Sequence, residues 1–549
     1  MEGAKLLTHL PELFWTLPFF AYAEMHYRFR FFFSYLRKAE PEILADAPHR
    51  IEPGEHIPVL LLAKDADQFP ARLTSVRVEI RQADHVRDVR ELLDVPIVLN
   101  APLWWNVFRI QRTHIEGWVE LHVFMTIESG GKVRVYRSDN YRTSSHAPLR
   151  VFLSPEPLPR MKQLYFGDAH THSDKTSDQV EFGVPVAAST PLAKAMGLGF
   201  FCVADHSYDL DDSLTDYSVN DPDVPKWKML TEEIARVNRA ERHFAVIQGE
   251  EVSCRNSKEK NVHFLLFGNK KYFYGSGDGA ERWLQTRCEN SIRDVLTQKD
   301  EPAVAFAAHP LEHVPFLQRM LLSRGPWSSD DFLHQQLKGI QFANGMKGEG
   351  FTDGYAAWIH MLLKGHRLSC LAGNDAHGNF NRFRQIGIPF FSIHERNEQL
   401  FGKMRTGVYL NGPVSSKSIL RSLAEGAFII SDGPVVNLVA SSDRKSPTSI
   451  GKSFRTAGRE LKISARSTNE FGPLSKVIVF QGIVGEDKER LILCESLSGT
   501  FNYDKSIPVP SSGRSYMRVE AHTSPANQSD GQSHFCFTNP VWFDDTRSK

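Results

Sequence analysis

The 549-residue sequence lacks several features that would place a chain in an obvious class. Its charges cancel, at 65 basic and 65 acidic residues, which argues against a protein that binds nucleic acid over a globally basic surface. No uncharged apolar run reaches about 18 residues, so we predict no simple membrane-spanning helix. No repeat of fixed period occurs, and this argues against a solenoid or a propeller.

Cysteine is scarce as well, at six residues. The two nearest neighbours, Cys254 and Cys288, are 34 positions apart, so the chain has no Cys-x-x-Cys motif of a zinc site or a redox enzyme. Cys202 and Cys370 lie within apolar, strand-like runs. We therefore expect buried free thiols and a reducing compartment, and we predict a cytoplasmic protein.

The composition, 41% hydrophobic and 24% charged, is typical of a globular chain of several domains. Residues 1–40 form an aromatic N-terminal arm. Its apolar first part contains Glu12 and two prolines, a poor match to a secretory signal, and arginines alternate with aromatic residues after Met25. The arm either docks on a membrane surface or a partner, or packs against the body of the protein, and we favour the second interpretation.

The remaining sequence divides into three parts. Residues 41–160 contain alternating or apolar strands separated by polar turns, which predicts an antiparallel β-sandwich that ends in a proline-rich linker. Residues 161–432 alternate short apolar strands with helix-like segments, which predicts an α/β unit with a mainly parallel sheet or barrel. Residues 433–549 are again rich in strands, and we predict a second small β-sandwich.

Most strands of residues 161–432 end in polar residues, where barrel enzymes build their active sites. Alternate side chains of a strand share a face, so His170 and His172 can reach one metal ion, with Asp168 on the same side. Five further strand-like segments carry Asp205 and His206, Glu250 and Glu251, His263, His309, and Asp375 and His377. So many ionisable groups at one edge would be costly to bury without metal ions, and imidazole suits zinc, iron or manganese.

The motifs GDAHTHS, VADH, GEEVS, VHFLLFG, AAHP and GNDAH follow one another within residues 164–432. In this order they resemble the PHP (polymerase and histidinol phosphatase) family. The resemblance implies an α/β protein with a distorted (β/α)7 PHP-type barrel, here flanked by N-terminal and C-terminal β-sandwich domains, and two or three divalent ions (Zn, Mn or Fe). The segment EGAFIISDGPVVNL and the ending TNPVWF are similar to a stand-alone branch that includes carbamate and ester hydrolases.

The family pattern implies a set of metal ligands: His170, His172, His206, Glu251, His263, His309, Asp375 and His377. Glu251 is preferred to Glu250 because the pattern places the ligand two residues after Gly249, and because the two side chains alternate across a strand. We expect Asp205 to orient His206 or a metal-bound water. Asp205, His206, Asp375 and Arg382 form the predicted catalytic group.

One position departs from the family pattern. Many members carry an aspartate five residues after the second histidine, where this chain has Ser177. We assign this ligand to the following residue, Asp178, and rank Glu181 and then Asp174 below it. Occupancy of a third metal position depends on this assignment.

Some polar residues near the motifs allow two interpretations each. Arg382 and Arg384 follow GNDAH closely, and they either bind a substrate phosphate or carboxylate or belong to a solvated loop. Asn344 either donates into the pocket or forms a turn before Gly345. We expect an acidic loop to be solvated surface or to rim the entrance; it contains Asp209, Asp211, Asp212 and Asp216.

The resemblance implies a metal-dependent hydrolase, with phosphate ester hydrolysis by a metal-bridged hydroxide as the family default. Hydrolysis of a carbamate, carboxyl ester or amide at the same site is the alternative. A non-catalytic metal-binding or interaction module is the alternative of another class. We expect a small anionic or ester substrate and no nucleic-acid partner, and we allow for a homo-oligomer.

Overall fold

The fold is that of a computed structural model, which describes residues 40–112, 114–140, 146–176, 183–214, 216, 219–279, 285–345, 347–382, 385–388, 391–394, 399–443, 445–455, 460–509, 513–526 and 531–544. Residues 1–39 of the aromatic arm lie outside these ranges, as do Ser177, Asp178, Glu181 and Arg384. Predictions on those residues stay predictions. Within the described ranges, no helix is long and apolar enough to cross a membrane.

Ten strands form two sheets after the arm. They are β1 (Glu42–Asp46), β2 (Arg50–Ile51), β3 (Ile57–Lys64), β4 (Ala71–Gln82), β5 (His85–Glu91), β6 (Ile97–Leu99), β7 (Leu103–Ile110), β8 (Gly117–Ser129), β9 (Lys132–Arg137) and β10 (Leu149–Leu153). One sheet has the order β1-β3-β7, and the other has the order β2-β10-β8-β4-β5, with β6 on β4 and β9 on β8. Side chains of β4 alternate between the two faces of its sheet: Val76 and Val78 are buried, while Arg77 between them is exposed. One face of this sheet is therefore apolar and packs in the core.

A strongly curled half-barrel sheet follows. Its strands in this part of the chain are β11 (Leu164–Thr171), β12 (Phe200–Val203), β13 (Ala245–Arg255), β14 (Asn261–Phe267), β15 (Val304–Ala308), β16 (Gly339–Asn344) and β17 (Ser369–Gly373). After a separate hairpin of β18 (Gln385–Ile388) and β19 (Phe391–His394) come β20 (Arg405–Tyr409) and β21 (Phe428–Ser431). The sheet order is β17-β16-β15-β14-β13-β12-β11-β20-β21.

Helices connect many of these strands. They are α1 (Val186–Ala195), α2 (Ser207–Leu210), α3 (Pro225–Ala240), α4 (Ile292–Gln298), α5 (Phe316–Leu321), α6 (Glu349–Leu363) and α7 (Ser416–Glu425), with short 3-10 helices at Ser276–Asp278 and Ser329–Leu333. Strands β12, β15 and β17 are buried along their whole length, as expected for apolar runs with parallel neighbours. Strands β13 and β14 instead form an antiparallel hairpin, with Glu251 opposite Leu265.

The curl of the sheet returns the end of β17 to the end of β11. The Asp375 backbone N–H donates to the carbonyl oxygen of His170 at 2.8 Å, and the His172 N–H donates to the carbonyl oxygen of Ala376 at 2.8 Å. These two strands are the outer members of the run β17 to β11 in the sheet order. Polar groups from the strands between them are therefore brought around one centre.

Most of the C-terminal strands continue the same sheet. They are β22 (Val435–Ala440), β23 (Ser453–Arg455), β24 (Glu460–Arg466), β25 (Leu474–Ile483), β26 (Arg490–Thr500), β27 (Asn502–Pro508), β28 (Ser515–Thr523), β29 (Phe535–Thr538) and β30 (Val541–Asp544). Strand β29 pairs with β21, placing Phe537 opposite Ile430, and β28, β25 and β26 follow it. A smaller sheet has the order β22-β24-β27. Six of the C-terminal strands thus extend the central sheet and three form the smaller one, and the domain boundaries stay predictions.

Candidate metal centre

The eight described residues that the family pattern singles out lie together at the curled sheet. They are His170 in β11, His172 just after it, His206 after β12, Glu251 in β13, His263 in β14, His309 after β15, and Asp375 and His377 after β17. Their ligand atoms form three overlapping groups, each with all atoms within 4.8 Å: His172, His206 and His377; His170, Glu251, His309 and Asp375; and His206, Glu251 and His263. These groups could hold one or more metal ions.

Glu251 lies at the middle of the cluster. Its Oε1 is 2.8 Å from His263 Nδ1 and 3.0 Å from His309 Nε2, and its Oε2 is 2.8 Å from His206 Nδ1. Burial alone would raise the pKa of this carboxyl, but the surrounding imidazoles hold the pKa well below its usual range. Glu250 faces the other side of β13, where it accepts a hydrogen bond from the Phe273 N–H, and burial raises its pKa.

Asp375 is the second carboxylate of the cluster. Its Oδ1 lies 2.9 Å from His172 Nε2 and 3.5 Å from His170 Nε2, and its Oδ2 lies 3.8 Å from His309 Nε2. Asp375 and His309 both have left-handed backbones, with φ of 53° and 26°. Such strain in residues other than glycine is held by the surrounding structure and is common at functional sites. The two residues also keep 18% and 16% of their side chains exposed, so they mark the open side of the centre.

Several buried atoms of the cluster have no hydrogen-bond partner. They are Nε2 of His170, Nδ1 of His172, His206 and His263, and Oε2 of Glu251. His206 Nδ1 and His263 Nδ1 each lie 2.8 Å from an oxygen of Glu251, but the contacts do not have hydrogen-bond geometry. Buried polar atoms are almost always satisfied, and imidazole nitrogens with carboxylate oxygens are the donors that zinc, iron and manganese accept. The residues present therefore fit a metal centre.

Hydrogen bonds behind three histidines direct their other nitrogen into the cluster. His170 Nδ1 donates to Gln341 Oε1 at 2.9 Å, and His263 Nε2 donates to Asp278 Oδ2 at 2.9 Å. His377 Nδ1 donates to the carbonyl oxygen of Asp375 at 3.0 Å. A partner of this kind fixes the tautomer and the ring orientation of a metal ligand.

The partner of His170 belongs to a longer chain of hydrogen bonds. Gln341 Nε2 donates to Asn344 Oδ1 at 2.8 Å, and Asn344 Nδ2 donates to Glu312 Oε1 at 2.9 Å. Asn344 Nδ2 also lies 3.5 Å from Asp375 Oδ2, so it faces the cluster. Sequence reasoning considered Asn344 but missed Gln341, Glu312 and Asp278. The inward alternation of β16 was a signal for Gln341, whereas no sequence signal marked the other two.

The pKa values of the histidines in the cluster are shifted in opposite directions. Burial alone would lower the pKa of His170, but Glu251 and Asp375 raise it to about 9. The pKa of His309 is also raised to about 9, against the effect of burial, by its hydrogen bond to Glu251 and by the charge of Glu312. Burial and the neighbouring His172 lower the pKa of His206 to about 3. A metal ion must displace protons from such imidazoles, so binding strengthens as the pH rises.

Two aspartates, Asp168 and Asp205, accept hydrogen bonds that stabilise the end of β11. Asp168 accepts hydrogen bonds from the N–H groups of His170 and Gly402 and from Asn374 Nδ2, at 3.1, 2.8 and 2.7 Å, and burial raises its pKa to about 6. Asp205 accepts from both the N–H and the hydroxyl of Ser173 at 2.6 Å. It lies 4.0 Å from His172 Nδ1, so it holds the segment that carries His172. Its predicted role in orienting His206 or a metal-bound water stays a prediction.

Other candidates lie in different surroundings. Arg382 is buried against the N-terminal sheets: its Nη1 is 3.2 Å from Asp139 Oδ2, and its Nε donates to the carbonyl oxygen of Ala45 at 2.8 Å. Its predicted role in substrate binding stays a prediction. The acidic loop is not the solvated surface expected, because Asp211 and Asp212 are buried and Asp212 Oδ2 pairs with Lys226 Nζ at 2.7 Å. Asp174 pairs with the neighbouring Lys175 at 2.6 Å.

Comparisons with known proteins add little to this geometry. No protein-family model matches the chain, and no curated protein matches it. Among solved structures, a glycosyl hydrolase family 2 member from Bacteroides cellulosilyticus DSM 14838 is 10% identical, with a TM-score of 0.17; the match covers 92% of this chain and 63% of that one. A β-D-mannosidase from Dictyoglomus thermophilum is 7% identical with a TM-score of 0.22, covering 92% and 67%. Similarity this low carries no argument about function.

Proposed function

We propose that this protein is a metal-dependent hydrolase of the PHP type, and that it hydrolyses phosphate esters. One observation carries the proposal: three groups of ligand atoms overlap through His206 and Glu251, and several buried atoms within them lack hydrogen-bond partners. The order of the sequence motifs supports the family. Together these residues would hold two or three zinc, manganese or iron ions.

Each part of the cluster has a task in this proposal. Divalent ions held there would supply the Lewis acidity that activates water and stabilises negative charge on a substrate oxygen. Glu251 neutralises their charge from the buried side, while Asp375 and His309 face the opening. Asp205 and Asp168 keep the segment from His170 to His172 in place. The substrate approaches from the open side, where the exposed edges of Asp375 and His309 lie.

Metal analysis combined with a substrate panel tests the proposal. The full chain is purified without chelator, its zinc, manganese and iron are measured, and it is assayed on chromogenic phosphomonoester, phosphodiester and carboxyl ester substrates. We expect more than one equivalent of metal and hydrolysis of a phosphate ester. The matched control is Glu250→Gln, since Glu250 faces away from the cluster.

The other outcomes have distinct meanings. Activity on the carboxyl ester alone would replace the phosphoesterase by the carbamate or ester hydrolase alternative at the same centre. Less than one equivalent of metal, not restored by reconstitution, would favour a non-catalytic module. The cytoplasmic location and a homo-oligomeric state stay separate proposals, which fractionation and light scattering test.

A further inference from the structure

A loop beside the open side of the metal centre begins and ends next to proposed ligands. Its first residue, Pro310, follows His309 directly. Its last residue, Trp327, closes the loop, because the Trp327 N–H donates to the carbonyl oxygen of Pro310 at 2.9 Å. Trp327 Nε1 also donates to the carbonyl oxygen of His263 at 3.2 Å. Both ends of the 310–327 loop are therefore fixed to segments that carry proposed ligands.

Two side chains of the loop lie against the cluster. Near its start, Glu312 Oε2 lies 4.0 Å from His309 Nδ1. Near its end, Arg324 Nη2 lies 3.4 Å from the Tyr208 hydroxyl. The Tyr208 ring stacks on the ring of His206, with 4.7 Å between centroids. The loop thus passes from the side of the centre that carries His309 to the side that carries His206.

The middle of the loop is helix α5, which exposes two large apolar side chains. Phe316 and Met320 are four residues apart, so they lie on the same face of the helix. They are the most exposed phenylalanine and methionine of the described residues, at 61% and 56%. Single exposed apolar side chains are common, whereas apolar side chains grouped beside a site indicate a binding surface.

The chain between the cluster and these two side chains is short. Phe316 follows Glu312 by four residues, which span at most about 14 Å when fully extended. Met320 lies about one helical turn further, about 6 Å along the axis. An organic group attached to a substrate at the metal centre can therefore reach this apolar surface.

We propose that Phe316 and Met320 bind an apolar group of the substrate, so that the substrate is an ester that carries an alkyl chain or an aromatic ring. The inference rests on the proposed function and deepens it, because the metal centre holds the reacting ester while the 310–327 loop selects the group attached to it. Burial of apolar surface contributes with each methylene group. The flexible methionine adapts to different shapes, so the loop selects apolar groups as a class.

A series of alkyl hydroxamates tests this surface independently of hydrolysis. The hydroxamate group chelates metal ions, and the chain lengthens from acetohydroxamate to hexanohydroxamate and octanohydroxamate. Each compound is titrated calorimetrically into the metal-reconstituted full chain and into the double variant Phe316→Gln with Met320→Gln. We expect the wild-type affinity to rise about twofold to fourfold for each added methylene group. The double variant should lose most of this rise and keep the wild-type affinity for acetohydroxamate. Leu491→Gln is the control, because Leu491 is exposed in β26, outside the loop.

The outcomes separate this surface from the proposed function. Equal wild-type affinity for the three hydroxamates overturns the inference, even if the chain hydrolyses an ester, and so does a full rise in the double variant. If the affinities are equal and only the wild type floats with phosphatidylcholine vesicles, the surface binds lipid and the inference is again overturned. A rise that depends on Phe316 and Met320, in a chain that hydrolyses no ester, contradicts the proposed function and leaves the apolar surface standing.

Discussion

The hydrogen bond behind His170 offers a sharp test of the metal centre. Gln341 accepts from His170 Nδ1 at 2.9 Å and donates to Asn344 Oδ1 at 2.8 Å, and all three side chains are buried. Leucine has a similar volume but no polar atoms, so Gln341→Leu removes both bonds. Two buried polar groups then lack partners, at about 1–3 kcal/mol each. We expect the metal-free variant to unfold with a free energy about 2–6 kcal/mol lower than that of the wild type.

The same substitution should weaken metal binding for a separate reason. Without an acceptor at Nδ1, His170 can carry its proton on Nε2, the nitrogen that faces Glu251 and Asp375. Metal binding must then move this proton. Loss of the partner behind a metal-binding histidine typically costs about tenfold to hundredfold in affinity. Gln341→Glu keeps an acceptor for His170 and should retain more of the affinity.

Chelator competition with zinc at neutral pH measures the affinities, and urea titration of the metal-free proteins measures the stabilities. Gln298→Leu serves as the control, because Gln298 lies at the surface and accepts an exposed hydrogen bond from Lys271. Equal zinc affinity for the wild type and Gln341→Leu would refute the reasoning, whatever the effect on stability. Equal losses in Gln341→Leu and Gln341→Glu would show that the acceptor at Nδ1 is not the cause.

Three further predictions concern pH, a buried ion pair and the two adjacent glutamates. Burial lowers the pKa of His49 to about 3, below its ordinary value of about 6.5, so the folded protein resists protonation of this ring. The free energy of unfolding should therefore fall as the pH falls below about 6.5, by about 2 kcal/mol at about pH 5. Urea titrations of the wild type at about pH 6.5 and about pH 5 should show this loss, and those of His49→Asn should not. Arg50→Met leaves Glu470, now 2.9 Å from the guanidinium, without its charge partner, and should cost about 3–5 kcal/mol in urea titrations, with partial recovery in the double variant with Glu470→Gln. Elemental analysis should show that Glu251→Gln loses metal and Glu250→Gln retains it; the reverse order contradicts the assignment of strand faces.

The sequence predicted the gathering of the histidines because strand alternation and strand ends are local properties. His170 and His172 share a face by their spacing, and Glu251 differs from Glu250 by one position in a strand. The positions of the residues that hydrogen-bond to these ligands, or to their partners, depend on tertiary contacts. Asp278 lies in a 3-10 turn, and Glu312 reaches Asn344 from a loop, so neither is marked by a periodic pattern.

In the fold as well, local features could be predicted from the sequence, and contacts between distant segments could not. Short apolar runs predicted the strands of residues 161–432, and helices lie between many of them as the sequence predicted. The pairing of β21 with β29 joins Ile430 to Phe537, and no local pattern shows a contact of that sequence separation. The burial of Arg382 against Asp139 is likewise a contact between distant segments, although Arg382 lies close to GNDAH in sequence.

The pairing of β21 with β29 has a consequence for how this protein is made. Until the ribosome has delivered residues 535–538, one side of Ile429, Ile430 and Ser431 has no strand to receive its backbone hydrogen bonds. An apolar strand with an open side is a template for association with other chains. During synthesis the half-barrel would therefore need either a chaperone or rapid pairing with its last strands to avoid aggregation. A chain shortened after Asp432 would keep this strand edge unpaired.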